Sequence, residues 1–404
     1  MTAAAPAQGA PLIFQLFVMF AGAKLLAEAF CWLRQPAVVG EIIAGVLIGP
    51  HVLGWVAPSE TSRLLAEIGV IFLLFGVGLE TRPEAILKVG RVAFVVAVLG
   101  VALPFAAGLL LVQSLGGSLV QALFAGAAMV ATSVGITARV LGGMGLLDST
   151  PARVILAAAV IDDVLGLLVL AAVAGAAQGG VRLGQIGATA GLATAFVAAI
   201  AIFGAPMMTR AAGHFHKLRA GNEFFVIAVV LCFGLALGAA YIGVAAIVGA
   251  FLAGLAMADT AERRPELRQQ VRGAAELLAP FFLVNIGMQL DLGVFADRDT
   301  LLLAGAITVL AIVTKIVGCG LGARSLGWRG ALQVGVGMVP RGEVGIVVAQ
   351  IGLGMGTVDN RLYAAVLFMA CATTLLAPPM MRPAFAVRIA EAEAEQAQSE
   401  AVRK

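Results

Sequence analysis

Apolar runs of eighteen or more residues recur along this chain, from about residue 12 to residue 381. A helix of that length is near the minimum that crosses the roughly 30 Å hydrocarbon core of a bilayer. No water is available there to satisfy backbone N–H and C=O groups, so only helices and closed barrels can span. The runs lack the alternating ten-residue segments of membrane strands. An all-α polytopic membrane protein is therefore expected. Only 12% of the 404 residues are charged, about half the share in a soluble domain.

Thirteen transmembrane helices are expected, at about 12–33, 36–54, 64–80, 90–113, 119–140, 152–177, 184–208, 222–241, 243–259, 273–290, 300–323, 329–353 and 362–381. The charged, Ala/Glu-rich tail from Met381 to Lys404 reads as a short cytoplasmic helix. The first run shows no signal-peptide exit. It carries Lys24 and Glu28, whose i,i+4 spacing suits a structural pair on one helix face. With the N-terminus outside, nineteen Lys and Arg fall in cytoplasmic loops. Four fall outside (Arg63, Arg182, Arg298 and Arg361), and Lys24, Lys315 and Arg341 lie within spans. Basic residues concentrate on the cytoplasmic side, so the chain is expected to run N-out and C-in. Its net charge of +3 then reflects topology, not nucleic-acid binding.

Cys31, Cys232, Cys319 and Cys371 lie far apart in apolar runs, without metal or CxxC spacing, and read as packing residues. His51, His214 and His216 fall in loops, where solvation is the expected role even for the His-x-His pair. No cofactor and no enzymatic activity are expected; a Walker motif that would suit an ATP-driven pump is absent.

An internal repeat is visible. Val39-Gly40 and Ala44-Gly45 recur as Val248-Gly249 and Ala253-Gly254, an offset of 209. Phe72 and Gly78 recur as Phe281 and Gly287, and Gly126, Met129 and Val130 as Gly335, Met338 and Val339, at the same offset. Val134-Gly135-Ile136 recur as Val344-Gly345-Ile346, an offset of 210. The copies start seven spans apart, an odd number, so the second enters the membrane from the opposite side. Two inverted five-helix repeats are expected, spans 2–6 and 9–13, with span 1 extra and span 7 linking them. Inverted repeats are a secondary-transporter architecture.

The repeat points to the middles of spans 5 and 12. Span 5 holds Thr132, Ser133 and Gly135; span 12 holds Pro340, Arg341, Gly342 and Glu343. Proline removes an N–H and glycine loosens the helix, so both spans are expected to break there. Broken helices in matching positions point to a midplane ion site. Arg341 and Glu343 sit at that depth; they can pair locally, or Glu343 can cap the facing half-helix, and both read as support for the break. Lys315, in span 11, needs a carboxylate partner, and Asp162, Asp163 and Glu343 are the candidates.

Asp162 and Asp163 stand in the apolar run AAAVIDDVLG. Neighbours on a helix point about 100° apart, so the two acids take different roles. One faces Lys315. The other faces a water-filled cavity and exchanges a proton for a hard monovalent cation, with oxygen ligands from Thr132, Ser133, freed carbonyls and water.

The stretches AAVIDDVLGLL (158–168), ATSVGITAR (131–139), GVGMVPRGEVG (335–345) and FLLFGVGL (72–79) resemble the cation:proton antiporter-2 family, and within it the NapA-type bacterial sodium/proton antiporters. The resemblance covers about residues 33–381. It implies an NhaA/NapA-like fold with crossed discontinuous helices, in a homodimer of the bacterial inner membrane. It implies a dimerisation domain (1–83 and 221–298), a mobile ion-translocation core (84–180 and 299–385), a linker helix (181–220) and a tail (386–404). The core would slide as an elevator. Asp163 would carry Na+ or H+, with Thr132 near the ion, and Asp162 would pair with Lys315 as a coupling switch.

The implied activity is Na+(Li+)/H+ exchange, electrogenic at two protons per sodium. K+/H+ exchange on the same site is the alternative. A Kef-like potassium efflux system fits less well, because those relatives carry Gln-Asp at the acid pair and a nucleotide-binding domain, whereas Asp-Asp stands here with no GxGxxG. A channel is disfavoured by the lone intramembrane Lys315.

Overall fold

The computed structural model describes residues 12–33, 35–81, 83–177, 187–188, 191–200, 202–204, 206, 223–289, 293 and 297–389. The described residues are helical with short turns. In order the helices are α1 (Leu12–Trp32), α2 (Ala37–Ile48), α3 (Glu60–Glu80), α4 (Pro83–Ser114), α5 (Leu119–Ala128), α6 (Val134–Gly143), α7 (Thr150–Ala177), α8 (Glu223–Ile242), α9 (Ala246–Arg263), α10 (Pro265–Met288), α11 (Arg298–Gly322), α12 (Gly327–Gly337), α13 (Glu343–Gly354) and α14 (Asn360–Ala384). Eight of them are long and apolar enough to cross a membrane among the described residues. Residues 191–200 are helical within the seventh expected span, most of whose remainder lies outside the described residues. So do His214, His216 and the tail beyond residue 389.

Both expected breaks are present. The run 119–140 divides into α5 and α6 around residues 129–133, and the run 329–353 into α12 and α13 around residues 338–342. Pro340 carries no N–H to continue α12. Glycine at 342 lets the two extended segments cross, because a Cβ there would lie 2.8 Å from Ser133 Cβ.

The repeat is legible in the packing. A Cβ at Gly45 on α2 would lie 2.1 Å from Val284 O on α10, and one at Gly287 would lie 2.0 Å from Ile42 O. Their counterparts, Gly254 on α9 and Gly78 on α3, make the same reciprocal contact: 2.2 Å from Phe75 O and 2.2 Å from Phe251 O. Each copy thus meets the other through the same positions, as a two-fold axis in the membrane plane requires.

One expectation is corrected. Span 1 is not extra. Gly40 abuts the backbone of Leu26 and Ala27 on α1, and Gly249 abuts that of Leu235 and Ala236 on α8. Both pairs keep the 209 offset, so α1 is the counterpart of α8 and each repeat has six spans.

The helices pack in two groups. α3 lies against α9 and α10, with α2 on α10, α1 on α2 and α8 on α9. In the second group α4 lies against α5, α7 and α11, α11 against α12 and α14, and α13 against α5 and α14. Apolar side chains of α2, α3, α9 and α10 join those of α4, α6 and α7 in one cluster that holds the groups together.

Candidate functional site

The two helix breaks meet at the centre of the second group. The Ser133 N–H donates to Pro340 O at 2.8 Å, and Thr137 Oγ1 donates to Gly337 O at 2.7 Å. Four half-helix ends therefore converge: the C-termini of α5 and α12 and the N-termini of α6 and α13. Each N-terminus carries partial positive charge and each C-terminus partial negative charge.

Charged side chains answer those ends. Asp162, on α7, is fully buried and accepts the Thr132 N–H at the start of α6, 3.0 Å from Oδ2. Arg341, also fully buried, donates from Nη1 to Val130 O (2.7 Å) and Ala131 O (3.1 Å), just past the C-terminus of α5. Its Nη2 donates to Ala311 O on α11 at 3.3 Å. A planar guanidinium can bridge three carbonyls on two separate segments, which a point-charge ammonium cannot. So the Arg341 guanidinium binds backbone carbonyls at the break. Glu343 opens α13, but its side chain lies outside the described residues.

The Arg341 backbone is pinned as well. Its N–H donates to Thr373 Oγ1 at 3.2 Å, and Thr374 Oγ1 donates to its carbonyl at 2.6 Å. Thr373 and Thr374 are site residues that sequence reasoning missed. Their only sequence signal is a pair of hydroxyls in an otherwise apolar stretch of α14.

Lys315 Nζ lies 3.2 Å from Asp162 Oδ1 and 3.4 Å from Oδ2, and both side chains are fully buried. Of its three candidate partners, Lys315 thus meets Asp162. α4 approaches closely here: a Cβ at Gly100 would lie 2.7 Å from Cys319 Sγ and 3.3 Å from Lys315 Nζ. Asp163 is half-buried, whereas Asp162 is closed off from solvent. Thr132 Oγ1 is buried with no hydrogen-bond partner among the described residues. Ser133 is the residue before α6, with extended backbone.

A second charged cluster was not foreseen. Glu41 on α2 is 1% exposed, and its Oε1 lies 3.5 Å from Lys24 Nζ and 3.7 Å from Arg139 Nη2. Lys24 thus reaches Glu41 across α1 and α2, while Glu28 accepts a hydrogen bond from Trp32 Nε1 at 2.8 Å. The expected Lys24–Glu28 pair gives way because α2 is close enough at Gly40 to offer a buried carboxylate, where an ion pair is less screened than on an exposed helix face.

Residues 17–387 match the family described as "Sodium/hydrogen exchanger, transmembrane". The chain is 33% identical to the high-affinity Na+/H+ antiporter NhaS3 of Synechocystis sp., covering 95% of this chain and 92% of that one. It is 33% identical to the Na+/H+-K+ antiporter GerN of Bacillus cereus, covering 93% and 96%. Its fold is similar to that of the sodium proton antiporter MjNhaP1 from Methanocaldococcus jannaschii, with TM-score 0.69 at 15% identity over 94% of this chain and 96% of that one.

Proposed function

Because the chain belongs to the sodium/hydrogen exchanger family, we propose that it is a secondary active antiporter exchanging Na+ or Li+ for H+ across a bacterial inner membrane. The observation that carries this reading is the buried Asp162–Lys315 pair beside the half-buried Asp163 at the helix crossing. Lys315 meets Asp162, and in this reading the half-buried Asp163, one residue along the same helix, is the carboxylate that titrates. Ionised, Asp163 binds a small hard cation together with Thr132, Ser133, backbone oxygens and water. Protonated, it releases that cation. One carboxylate cannot hold both at once, so the two ions are carried in alternate directions.

Access alternates, in this reading, by an elevator motion of the second helix group against the first. The support is that each group packs mainly within itself. The first group (1–83 and 221–298) is the dimerisation domain of a homodimer, the second (84–180 and 299–385) the moving core, and 181–220 the linker. In this reading α5/α6 and α12/α13 are one broken span each and a further span lies at about 184–208, for thirteen spans running N-out and C-in. Separation of Lys315 from Asp162 during the cycle lets a second proton travel, which makes exchange electrogenic.

K+/H+ exchange on the same site is the second reading, favoured by the likeness to a relative named for both ions. Proton flux in proteoliposomes at clamped membrane potential separates them. Na+ and Li+ gradients are expected to drive proton movement, K+ is not, and the flux should respond to voltage. Proton movement driven by K+ alone would favour the second reading.

A further inference from the structure

We propose that Glu41 is a positioning residue of the transport cycle: its ion pair with Arg139 latches the cytoplasmic half of the crossed helices against the first helix group, in one access state only. This rests on the antiport reading and extends it to the balance between states.

Glu41 belongs to the first group and Arg139, on α6, to the second, so their pair spans the boundary between groups. Lys24 holds Glu41 from its own side. Glu41 Oε2 is buried with no hydrogen-bond partner among the described residues. α6 itself lies on the first group: a Cβ at Gly135 would lie 3.0 Å from Val70 and 3.6 Å from Phe282 side-chain atoms. With N-out orientation α6 is the cytoplasmic half-helix. α13, the external one, packs on α5 and α14, with no comparable packing on α9 or α10 among the described residues. Gln350, on α13, is exposed. This asymmetry between inverted copies describes a state closed toward the cytoplasm and open toward the outside.

The repeat says what the opposite state would hold. At offsets of 209, 209 and 210, Lys24, Glu41 and Arg139 become Phe233, Ala250 and Ala349. When α13 takes the place against the first group that α6 now occupies, two alanines stand where the ion pair stood. An interaction present in only one of two states shifts their equilibrium toward that state. Loss of the pair therefore favours the inward-open state.

The test is cysteine accessibility in membranes, in a Cys31→Ser background, since Cys31 is exposed. Ala138→Cys lies on buried α6 and is probed with a membrane-impermeant maleimide from the cytoplasmic side. Gln350→Cys is probed from outside. Adding Glu41→Gln is expected to speed labelling at Ala138→Cys at least fivefold and to slow it at Gln350→Cys. Arg139→Gln should do the same, and Arg139→Lys, which keeps the charge, should stay near the unsubstituted rates. Unchanged rates at both sites, or a rise at both, which marks mere loosening, would overturn the proposal. No ion gradient is needed, so a protein that failed to exchange ions could still show or lack this pattern.

Discussion

Asp162 and Lys315 form a fully buried ion pair, 3.2 Å from Oδ1 to Nζ, at the point where α7 and α11 flank the two helix breaks. The same carboxylate caps the start of α6 through the Thr132 N–H. The counterpart of Thr132 in the second copy is Arg341, whose N–H is capped by the Thr373 hydroxyl instead. The inverted repeat thus keeps the backbone cap in both halves but supplies a carboxylate in one and a neutral hydroxyl in the other. That charge asymmetry supports the proposal that the ion chemistry lies on α7.

Removing one partner of a buried pair leaves the other charge uncompensated, at a cost of about 3–5 kcal/mol. Asp162→Asn and Lys315→Met should each lower the melting temperature strongly in detergent. The double variant should recover much of the loss. Additive losses in the double variant would show that the two side chains are not coupled.

Arg341→Lys retains charge but cannot reach the carbonyls of Val130, Ala131 and Ala311 together. Leaving buried acceptors unmet costs about 1–3 kcal/mol each. Thermal unfolding should show a clear loss of stability in this variant. A melting temperature equal to that of the unsubstituted protein would mean the guanidinium cap is dispensable.

Gly45→Ala and Gly78→Ala would each force a methyl to about 2 Å from a backbone oxygen of the facing helix. Overpacking of that kind costs typically about 1–3 kcal/mol or more. Gly90→Ala, with no atom within 4 Å of its added Cβ, should leave stability unchanged or slightly higher. Thermal unfolding of the three side by side checks the packing.

In the proposed cycle proton and cation compete for one carboxylate, so acid should weaken cation binding. In the acid range the apparent KM for Na+ is expected to rise as pH falls, by up to about tenfold per unit, with maximal rate less affected. A KM independent of pH across the whole active range would contradict competition at a shared site.

Much of this was legible in the chain. Hydropathy located the helices, and Gly, Ser/Thr and Pro at matching depths located both breaks, because backbone hydrogen bonding leaves few ways to interrupt a helix in lipid. The Glu41 cluster was hidden because Lys24–Glu28 is visible as a local spacing, whereas Lys24–Glu41 depends on α1 packing on α2. Kinship of α1 and α8 carried a faint signal, Leu26-Ala27 against Leu235-Ala236 at the offset of 209. The described partners of the Arg341 guanidinium are backbone carbonyls, which no side-chain pattern can reveal.

The central claim is that Asp163 is the group that exchanges a cation for a proton. Sodium-driven proton movement in proteoliposomes bearing Asp163→Asn tests it most directly, alongside thermal unfolding of the same variant. The account predicts that exchange disappears while the melting temperature holds. Sodium-driven proton movement at the unsubstituted rate would contradict it.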